Sequence, residues 1–188
     1  MSLPIPSTLT LTQRASAHCD DRPQGEPISL LVIHNISLPA GHFTSDPQTS
    51  YIDALFCGTL NTNEHPSFAD LAGVRVSAHC VIWRNGQIFQ YVPFAKRAWH
   101  AGVSSFAGRE RCNDFSIGIE LEGTDQIPYT EPQYHSLLAL SRYLMQQYPA
   151  ITLDRVVGHC DIAPGRKTDP GVVFDWPRFK QALKENKA

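Results

Sequence analysis

The sequence predicts a single domain of the α/β class, and two kinds of pattern carry this prediction. Short apolar runs rich in β-branched residues, typical of buried strands, lie at 28–33, 76–83, 87–92 and 115–123. Apolar residues recur at three- and four-residue steps across 134–148, which indicates an amphipathic helix. With 188 residues, 42% of them hydrophobic, the chain is long enough to bury one substantial core.

The N-terminal part of the chain is expected to differ from the rest. Residues 1–27 contain four prolines and no sustained periodicity, so we expect an irregular arm packed on a domain formed by 28–188. The first strand is followed by His34 and Asn35, where the chain is expected to open into a loop. A short helix is predicted within 50–60, and the long polar stretch around it is typical of a loop that gates a binding site.

Two strands in the middle of the chain are predicted to form a hairpin, because Asn85 and Gly86 lie between them. His79 falls in the first of these strands. A packed or hydrogen-bonded histidine is the expected role there, and a metal ligand is the alternative.

The strand at 115–123 carries two acids, Glu120 and Glu122, on the face opposite its isoleucines. Burying a carboxylate costs free energy unless it serves a cation or a reaction. The pair therefore indicates a site, and the alternative is a sheet face that is simply exposed to water.

Two helices carry their own start signals. Thr130 and Gln133 form a capping-box pattern ahead of the amphipathic helix, and Asp175 with Pro177 marks the start of a last helix. The apolar stripe of the first of these helices is expected to pack against the core rather than to bind a ligand.

The segment 158–171 concentrates reactive side chains directly after a predicted strand. Its fourteen residues hold an imidazole, a thiol, two carboxylates and two cations. Pro170 restricts Asp169 to an extended backbone, and Lys167 would project from the same side. Together with His159, these residues indicate a metal site with a cation beside it; a surface loop with solvated charges is the alternative.

Two further pairs of residues are candidates for ligand binding. Trp99 and His100 stand between small residues, which suits the wall of a groove, and a core position fits Trp99 equally well. Arg109 and Arg111 lie in a polar loop. Arginine forks suit carboxylate recognition, and a solvated surface position is the alternative.

Composition limits the partners and the compartment. The net charge is -2, from 16 basic and 18 acidic residues, so the chain lacks the excess of basic residues that is typical of nucleic-acid binding. No run approaches the roughly 18 apolar residues of a membrane span, and the first residues do not resemble a secretory signal. Five cysteines without a C-x-x-C pair indicate free thiols in a reducing compartment, so we expect a cytoplasmic protein.

These candidates together suit a catalytic zinc. His34, His159 and one further side chain would supply three ligands and leave the open position that catalysis requires. On chemistry alone, four residues are possible third ligands: Asp169, Asp161, Cys160 and His79.

Five blocks of sequence, in order, closely resemble the AmpD-type amidases, which are cytoplasmic 1,6-anhydro-N-acetylmuramyl-L-alanine amidases of bacterial cell-wall recycling. The blocks are LVIHNISLP at 31–39, RVSAHC at 75–80, RAWHAG at 97–102, RERCNDFSIGIELEG at 109–123 and GHCDIAPGRKTDPG at 158–171. The resemblance implies a mixed central β-sheet flanked by helices, as in the zinc amidases and the peptidoglycan recognition proteins.

The resemblance also implies a role for individual residues. His34, His159 and Asp169 would bind one zinc ion. Glu120 would be the acid/base and Lys167 would stabilise the oxyanion. Four residues fall where the family contacts its muropeptide: Asn35, Arg75, Trp99 and Arg111.

The reaction that the resemblance implies is hydrolysis of the amide bond between the lactyl group of 1,6-anhydro-N-acetylmuramic acid and L-alanine of the stem peptide. The substrate is a small muropeptide, and a monomer is the expected state. An enzyme that limits the pool of wall fragments would also influence β-lactamase induction, as the family does.

One departure from the wider amidase group concerns the proton. Phage lysozyme amidases and peptidoglycan recognition proteins carry a tyrosine where this chain has Ala78, so Glu120 would have to perform the proton transfer. Asp169 stands where relatives can have cysteine, and this harder ligand still suits zinc.

Two other functions compete with hydrolysis: a muropeptide-binding module that does not cleave, and a structural zinc closed by Cys160 or His79.

Overall fold

The computed structural model describes residues 4–7 and 9–185. Its strands are β1 (Leu11–Gln13), β2 (Cys19–Asp21), β3 (Leu30–Ile36), β4 (Cys80–Ile82), β5 (Ile88–Gln90), β6 (Lys96–Ala98), β7 (Ser105–Phe106), β8 (Arg109–Glu110), β9 (Ser116–Glu122) and β10 (Val156–Gly158). Its α-helices are α1 (Tyr51–Cys57), α2 (Glu131–Gln147), α3 (His159–Ile162) and α4 (Trp176–Lys184). Short 3₁₀ helices lie at Pro47–Thr49, Pro66–Leu71, Cys112–Asp114 and Leu153–Arg155.

The central sheet has the strand order β1-β5-β4-β9-β3-β10. Its neighbouring strands are parallel except for β4 and β5, which form the predicted antiparallel hairpin. Gly86 in the hairpin turn has a φ of 85°, a conformation that glycine adopts without strain. The expected mixed sheet flanked by helices is confirmed.

Helices cover both faces of the sheet. On one face, α2 and α4 bury Leu137 and Phe179 in the largest core cluster. On the other face, α1 buries Ile52 and Phe56 in a second cluster with Val81 of β4 and Phe89 of β5. The central strand β9 is buried along its whole length, with its isoleucines in the core on one face and both Glu120 and Glu122 buried on the other. Among the described residues, no helix has both the length and the apolar character needed to cross a bilayer.

Two expectations about the strands are wrong. The chain does not open into a loop at His34, because β3 continues to Ile36 and pairs with β9 as far as Glu122. The arm at 1–27 is not irregular throughout, because β1 forms a parallel edge strand beside β5 and β2 pairs with β6. Three-residue strands are too short to show periodicity, and they form where a neighbouring edge offers unpaired backbone groups. The domain boundary before residue 28 remains a proposal.

The ends of the helices follow local capping signals. The hydroxyl of Thr130 accepts a hydrogen bond from the Gln133 amide, and the Gln133 side chain accepts one from the Thr130 amide. The carboxylate of Asp175 accepts a hydrogen bond from the Arg178 amide and begins α4. Both predicted caps are confirmed. Capping depends on residues only two or three positions away, so it can be predicted from the sequence.

Candidate active site

The reactive side chains meet at the carboxyl ends of three parallel strands. His34 of β3 lies directly opposite Glu120 of β9, so the two side chains leave the same face of the sheet. Gly158 at the end of β10 lies opposite Ile33, which brings His159 beside His34. This edge of an open parallel sheet is where ligands commonly bind.

The segment 158–171 begins with a helical turn rather than a loop. His159 is the first residue of α3, and the amide of Cys160 donates to the carbonyl of Asp169 at 3.0 Å. This bond closes the segment on itself and brings His159 and Asp169 together. Asp161 instead accepts a hydrogen bond from the Gly158 amide at 2.7 Å, so its carboxylate caps the turn.

Three potential ligand atoms converge in this site. Nδ1 of His34 lies 2.9 Å from Nδ1 of His159, and Oδ2 of Asp169 lies 3.2 Å and 3.1 Å from these two nitrogens. Two imidazoles and one carboxylate form a common ligand set for catalytic zinc. In the described parts of the chain, neither Cys160 nor His79 joins this group.

The outer nitrogens of the two histidines are held by hydrogen bonds. Nε2 of His159 lies 3.2 Å from the carbonyl of Ala101, which also accepts a hydrogen bond from Arg166 at 2.7 Å. Nε2 of His34 lies 2.9 Å from Nδ1 of His100, whose own Nε2 lies 3.1 Å from the hydroxyl of Ser116. These contacts are compatible with a proton on the Nε2 of each histidine, and that tautomer directs both Nδ1 lone pairs towards Asp169, as metal binding requires.

Electrostatics favour the protonation states of metal ligands. Burial lowers the pKa of His34 to about 4, so its imidazole is neutral at pH 7. Burial alone would raise the pKa of Asp169, but the imidazoles of His159 and His34 beside its carboxylate hold that pKa well below its usual range. A neutral imidazole and an ionised carboxylate are the forms that bind a metal ion.

The two acids of β9 have different environments. Burial, reinforced by the nearby charge of Asp169, raises the pKa of Glu120 well above its usual value. Its Oε2 atom is buried and has no hydrogen-bond partner in the described structure. Glu122, in contrast, accepts hydrogen bonds from the amides of Thr44 at 2.8 Å and Arg84 at 3.1 Å. Glu122 therefore fixes two loops, whereas Glu120 has an oxygen available to a reactant.

The site opens into a cavity of about 220 Å³. Its walls include the three potential ligands and three further sequence candidates: His34, His159, Asp169, Glu120, Lys167 and Trp99. Asn35 also lines this cavity, and its amide donates to Asp125 at 2.8 Å. A groove of about 740 Å³ continues from the cavity past Asn35, Lys167 and Asp169.

The two arginines expected to contact substrate lie apart from this cavity. Arg75 is exposed and lines a separate pocket of about 360 Å³ with His18. Arg111 is also exposed, lines another pocket of about 530 Å³ and donates to Asp114 at 3.0 Å. The structure therefore does not bring either arginine to the walls of the cavity that contains His34, His159 and Asp169.

Sequence reasoning missed the supporting role of His100 and of the Ala101 carbonyl. The sequence indicates His100 only as part of a groove wall, and no local pattern shows that its ring contacts a histidine 66 positions away. The small residues beside it are the single available signal, because they allow the chain to approach the sheet closely. His79, which is buried like His34 and His159, accepts from the Gly118 amide at 3.0 Å, as the hydrogen-bonded interpretation predicted.

Comparisons with known proteins match the whole region that carries the site. The Amidase_2 family model, described as N-acetylmuramoyl-L-alanine amidase, matches residues 24–172. The 1,6-anhydro-N-acetylmuramyl-L-alanine amidase AmpD of Salmonella typhimurium (strain SL1344) is 62% identical over 165 residues, which cover 88% of this chain and 86% of that protein.

Solved structures show the same similarity. The crystal structure of a Se-Met AmpD derivative has a TM-score of 0.88 at 56% identity, covering 96% of this chain and 99% of that chain. The amidase AmiD from E. coli, in complex with the substrate anhydro-N-acetylmuramic acid-L-Ala-D-gamma-Glu-L-Lys, has a TM-score of 0.58 at 32% identity. That match covers 86% of this chain and 60% of AmiD.

Proposed function

The chain belongs to the Amidase_2 family of N-acetylmuramoyl-L-alanine amidases, and on this premise we propose that it hydrolyses the amide bond between the lactyl group of 1,6-anhydro-N-acetylmuramic acid and L-alanine. The observation that carries the proposal is the His34–His159–Asp169 group, in which both histidines are buried, beside a glutamate with an unpartnered oxygen. Release of the stem peptide from wall fragments is a step of peptidoglycan recycling.

We propose that the metal ion is zinc, held by His34, His159 and Asp169. The convergence of their ligand atoms, the two fixed imidazoles and the ionised carboxylate support this assignment. When bound, zinc supplies Lewis acidity, which polarises a carbonyl and lowers the pKa of water towards about 7.

Glu120 is proposed to move the proton. Its raised pKa and its free Oε2 suit a group that accepts a proton from the attacking water and returns it to the departing alanine nitrogen. Such acid/base groups typically contribute about 10²- to 10⁴-fold to a rate. Ala78 lies where related amidases carry a tyrosine, so no phenol at this position shares the proton transfer.

Lys167 is proposed to stabilise the oxyanion that forms when the lactyl carbonyl is attacked. It lines the same cavity as Glu120 and carries a positive charge there. Removing one preorganised donor of this kind typically costs about 10²- to 10³-fold in rate. Its position therefore supports a catalytic rather than a purely binding role.

The proposed substrate is a small anhydro-muropeptide. AmiD binds such a molecule, and the cavity and the adjoining groove of about 740 Å³ offer a continuous path for sugar and peptide. Trp99 and Asn35 line the cavity and are proposed to contact the substrate there. Arg75 and Arg111 remain proposed contacts for the carboxylates of the stem peptide, at a greater distance from the scissile bond.

The cellular setting is also a proposal. All five cysteines are free thiols, which supports a reducing compartment such as the cytoplasm. We propose that the protein acts there as a monomer on soluble wall fragments. A role in β-lactamase induction would follow from control of that fragment pool.

Turnover and metal content test the proposal together. The purified protein is incubated with 1,6-anhydro-N-acetylmuramyl-tripeptide, and free tripeptide is measured by mass spectrometry with and without a chelator. We expect cleavage that the chelator abolishes and added zinc restores. Tight binding without cleavage would instead support the non-catalytic binding module.

A matched pair of variants isolates the glutamate. Glu120→Gln should lower the rate by at least about 10²-fold while the zinc content stays near one per chain. Glu185→Gln removes an exposed carboxylate that follows α4, away from the cavity, and should leave the rate unchanged. Equal rates in these two variants would reject the role of Glu120.

A further inference from the structure

The side chain of Trp99 is held by the N-terminal arm rather than by the strands that carry the metal ligands. Its indole Nε1–H donates to Oδ1 of Asp20 at 3.1 Å. Asp20 lies in β2, directly opposite Arg97 in β6, and Trp99 follows β6 immediately. The antiparallel pairing of β2 with β6 therefore sets the distance between the carboxylate and the indole.

Asp20 is itself held in one orientation. Arg97 donates from Nε to Oδ1 at 2.7 Å and from a terminal nitrogen to Oδ2 at 2.5 Å. The other terminal nitrogen of Arg97 donates to Asp114. These hydrogen bonds from Arg97 hold the pKa of Asp20 below its usual value, so the indole donates to an ionised carboxylate. A two-point arginine–carboxylate pair restricts orientation as well as distance.

Other residues of the arm contact the same tryptophan. The ring of His18 stacks on the indole with centroids 6.1 Å apart and planes inclined by 12°. The hydroxyl of Ser77 donates to the His18 carbonyl at 2.6 Å and accepts from the Trp99 amide at 3.1 Å. Both the backbone and the ring of Trp99 are therefore connected to the arm, while Trp99 also lines the cavity that contains Glu120.

We propose that Asp20 is a positioning residue for substrate binding, because it orients Trp99 as a wall of the cavity. This inference rests on the proposed function, and it adds a role for an arm that contains none of the proposed metal ligands or catalytic groups. An aromatic ring held in a fixed orientation can pack on the apolar face of a sugar or on a lactyl-alanine unit without losing side-chain freedom on binding.

Two neighbouring residues of β2 provide a matched comparison. Asp20→Ala removes the acceptor of the indole hydrogen bond. Asp21→Ala removes an exposed partner of Lys96 from the same strand pair and does not touch Trp99. Asp20→Asn keeps an oxygen that can accept from the indole and guards against a variant that fails to fold.

The first measurement is steady-state cleavage of 1,6-anhydro-N-acetylmuramyl-tripeptide by the zinc-loaded full chain. We expect Asp20→Ala to raise KM by roughly 2- to 10-fold, with kcat and zinc content nearly unchanged, as for loss of one oriented aromatic contact. Asp21→Ala should have the same KM as the unmodified protein. The KM of Asp20→Asn should be much closer to that of the unmodified protein than to that of Asp20→Ala. In a Trp99→Ala background, Asp20→Ala should have no additional effect.

The second measurement does not depend on turnover. The indole Nε1–H of Trp99, identified by its absence in Trp99→Ala, is followed by ¹⁵N NMR. We expect faster hydrogen exchange and a shifted signal in Asp20→Ala and not in Asp21→Ala.

The two measurements separate the possible failures. An unmodified protein that releases no peptide would contradict the proposed function, and the indole signal would still decide whether Asp20 holds Trp99. An unchanged indole signal in Asp20→Ala, or equal KM values for Asp20→Ala and Asp21→Ala, would overturn the positioning role.

Discussion

Gly118 allows His100 to support a proposed metal ligand, so Gly118→Ala is expected to damage the site although it adds only one methyl group. A Cβ atom at this position would lie 2.4 Å from Cγ and 2.5 Å from Nδ1 of the His100 ring. Ordinary van der Waals contact is 3.4–4 Å, so the ring must retreat by about 1 Å. Gly118 does not have a positive φ, so the cost comes from this contact and not from the backbone.

The magnitude follows from two losses. Overpacking a well-filled site typically costs about 1–3 kcal/mol, and a lost hydrogen bond adds about 0.5–1.5 kcal/mol. The hydrogen bond at risk joins His100 to Nε2 of His34 and is now 2.9 Å long. We therefore expect the free energy of unfolding of the metal-free protein to fall by about 2–4 kcal/mol. Loss of this support to His34 should also weaken zinc binding by about 10- to 100-fold.

Urea unfolding of the metal-free protein and zinc competition against a chromogenic chelator measure these two effects. His100→Ala removes the ring that the new methyl group would meet, so the double variant should be no less stable than His100→Ala alone. Additive losses in the double variant, or normal stability and zinc affinity in Gly118→Ala, would refute the proposed contact.

Three further predictions follow from other parts of the structure. Lys167→Met should lower kcat by about 10²- to 10³-fold with little change in zinc content, as measured by tripeptide release and metal analysis; an unchanged kcat would reject its oxyanion role. Thr130→Ala should cost about 1 kcal/mol in urea unfolding, because it removes the cap of α2, and should leave kcat unchanged. Burial lowers the pKa of His79 to about 3 from 6.5, so the unfolded chain binds that proton more tightly and stability should fall as pH drops from about 6.5 towards 3.

The variant His79→Gln checks the last of these predictions. Urea unfolding between about pH 7 and pH 5 should show a shallower loss of stability in this variant than in the unmodified protein. Both proteins keep other buried histidines, including His34, whose lowered pKa also makes stability fall as the pH drops. The loss of stability should therefore become shallower in His79→Gln without disappearing. Parallel pH profiles for the two proteins would contradict the assignment to His79.

Features that depend on near neighbours in the chain were predictable from the sequence. The cap of α2 at Thr130 and the turn at Gly86 involve groups only a few positions apart, and the structure contains both. The residues with suitable chemistry were also identifiable, since imidazoles and carboxylates next to apolar runs are costly to bury without a purpose. The family followed from five ordered blocks of such residues.

Tertiary pairing decided which of those residues act together. Glu120 and Glu122 share one strand face, but only the loops at Thr44 and Arg84 determine that Glu122 is a structural acceptor. Asp169, rather than Asp161, lies beside two histidines because a backbone bond closes the segment and β3 pairs with β10. The arm at 1–27 shows the same limit, since its strands exist only where β5 and β6 offer an edge.

The sequence by itself determined the α/β class, the family and the set of candidate side chains. The tertiary structure alone decided the convergence of His34, His159 and Asp169, the separate positions of Arg75 and Arg111, and the contact of Asp20 with Trp99. The physical reason is range: caps and turns satisfy backbone groups a few residues away, whereas His34 meets His159 across 125 positions through strand register.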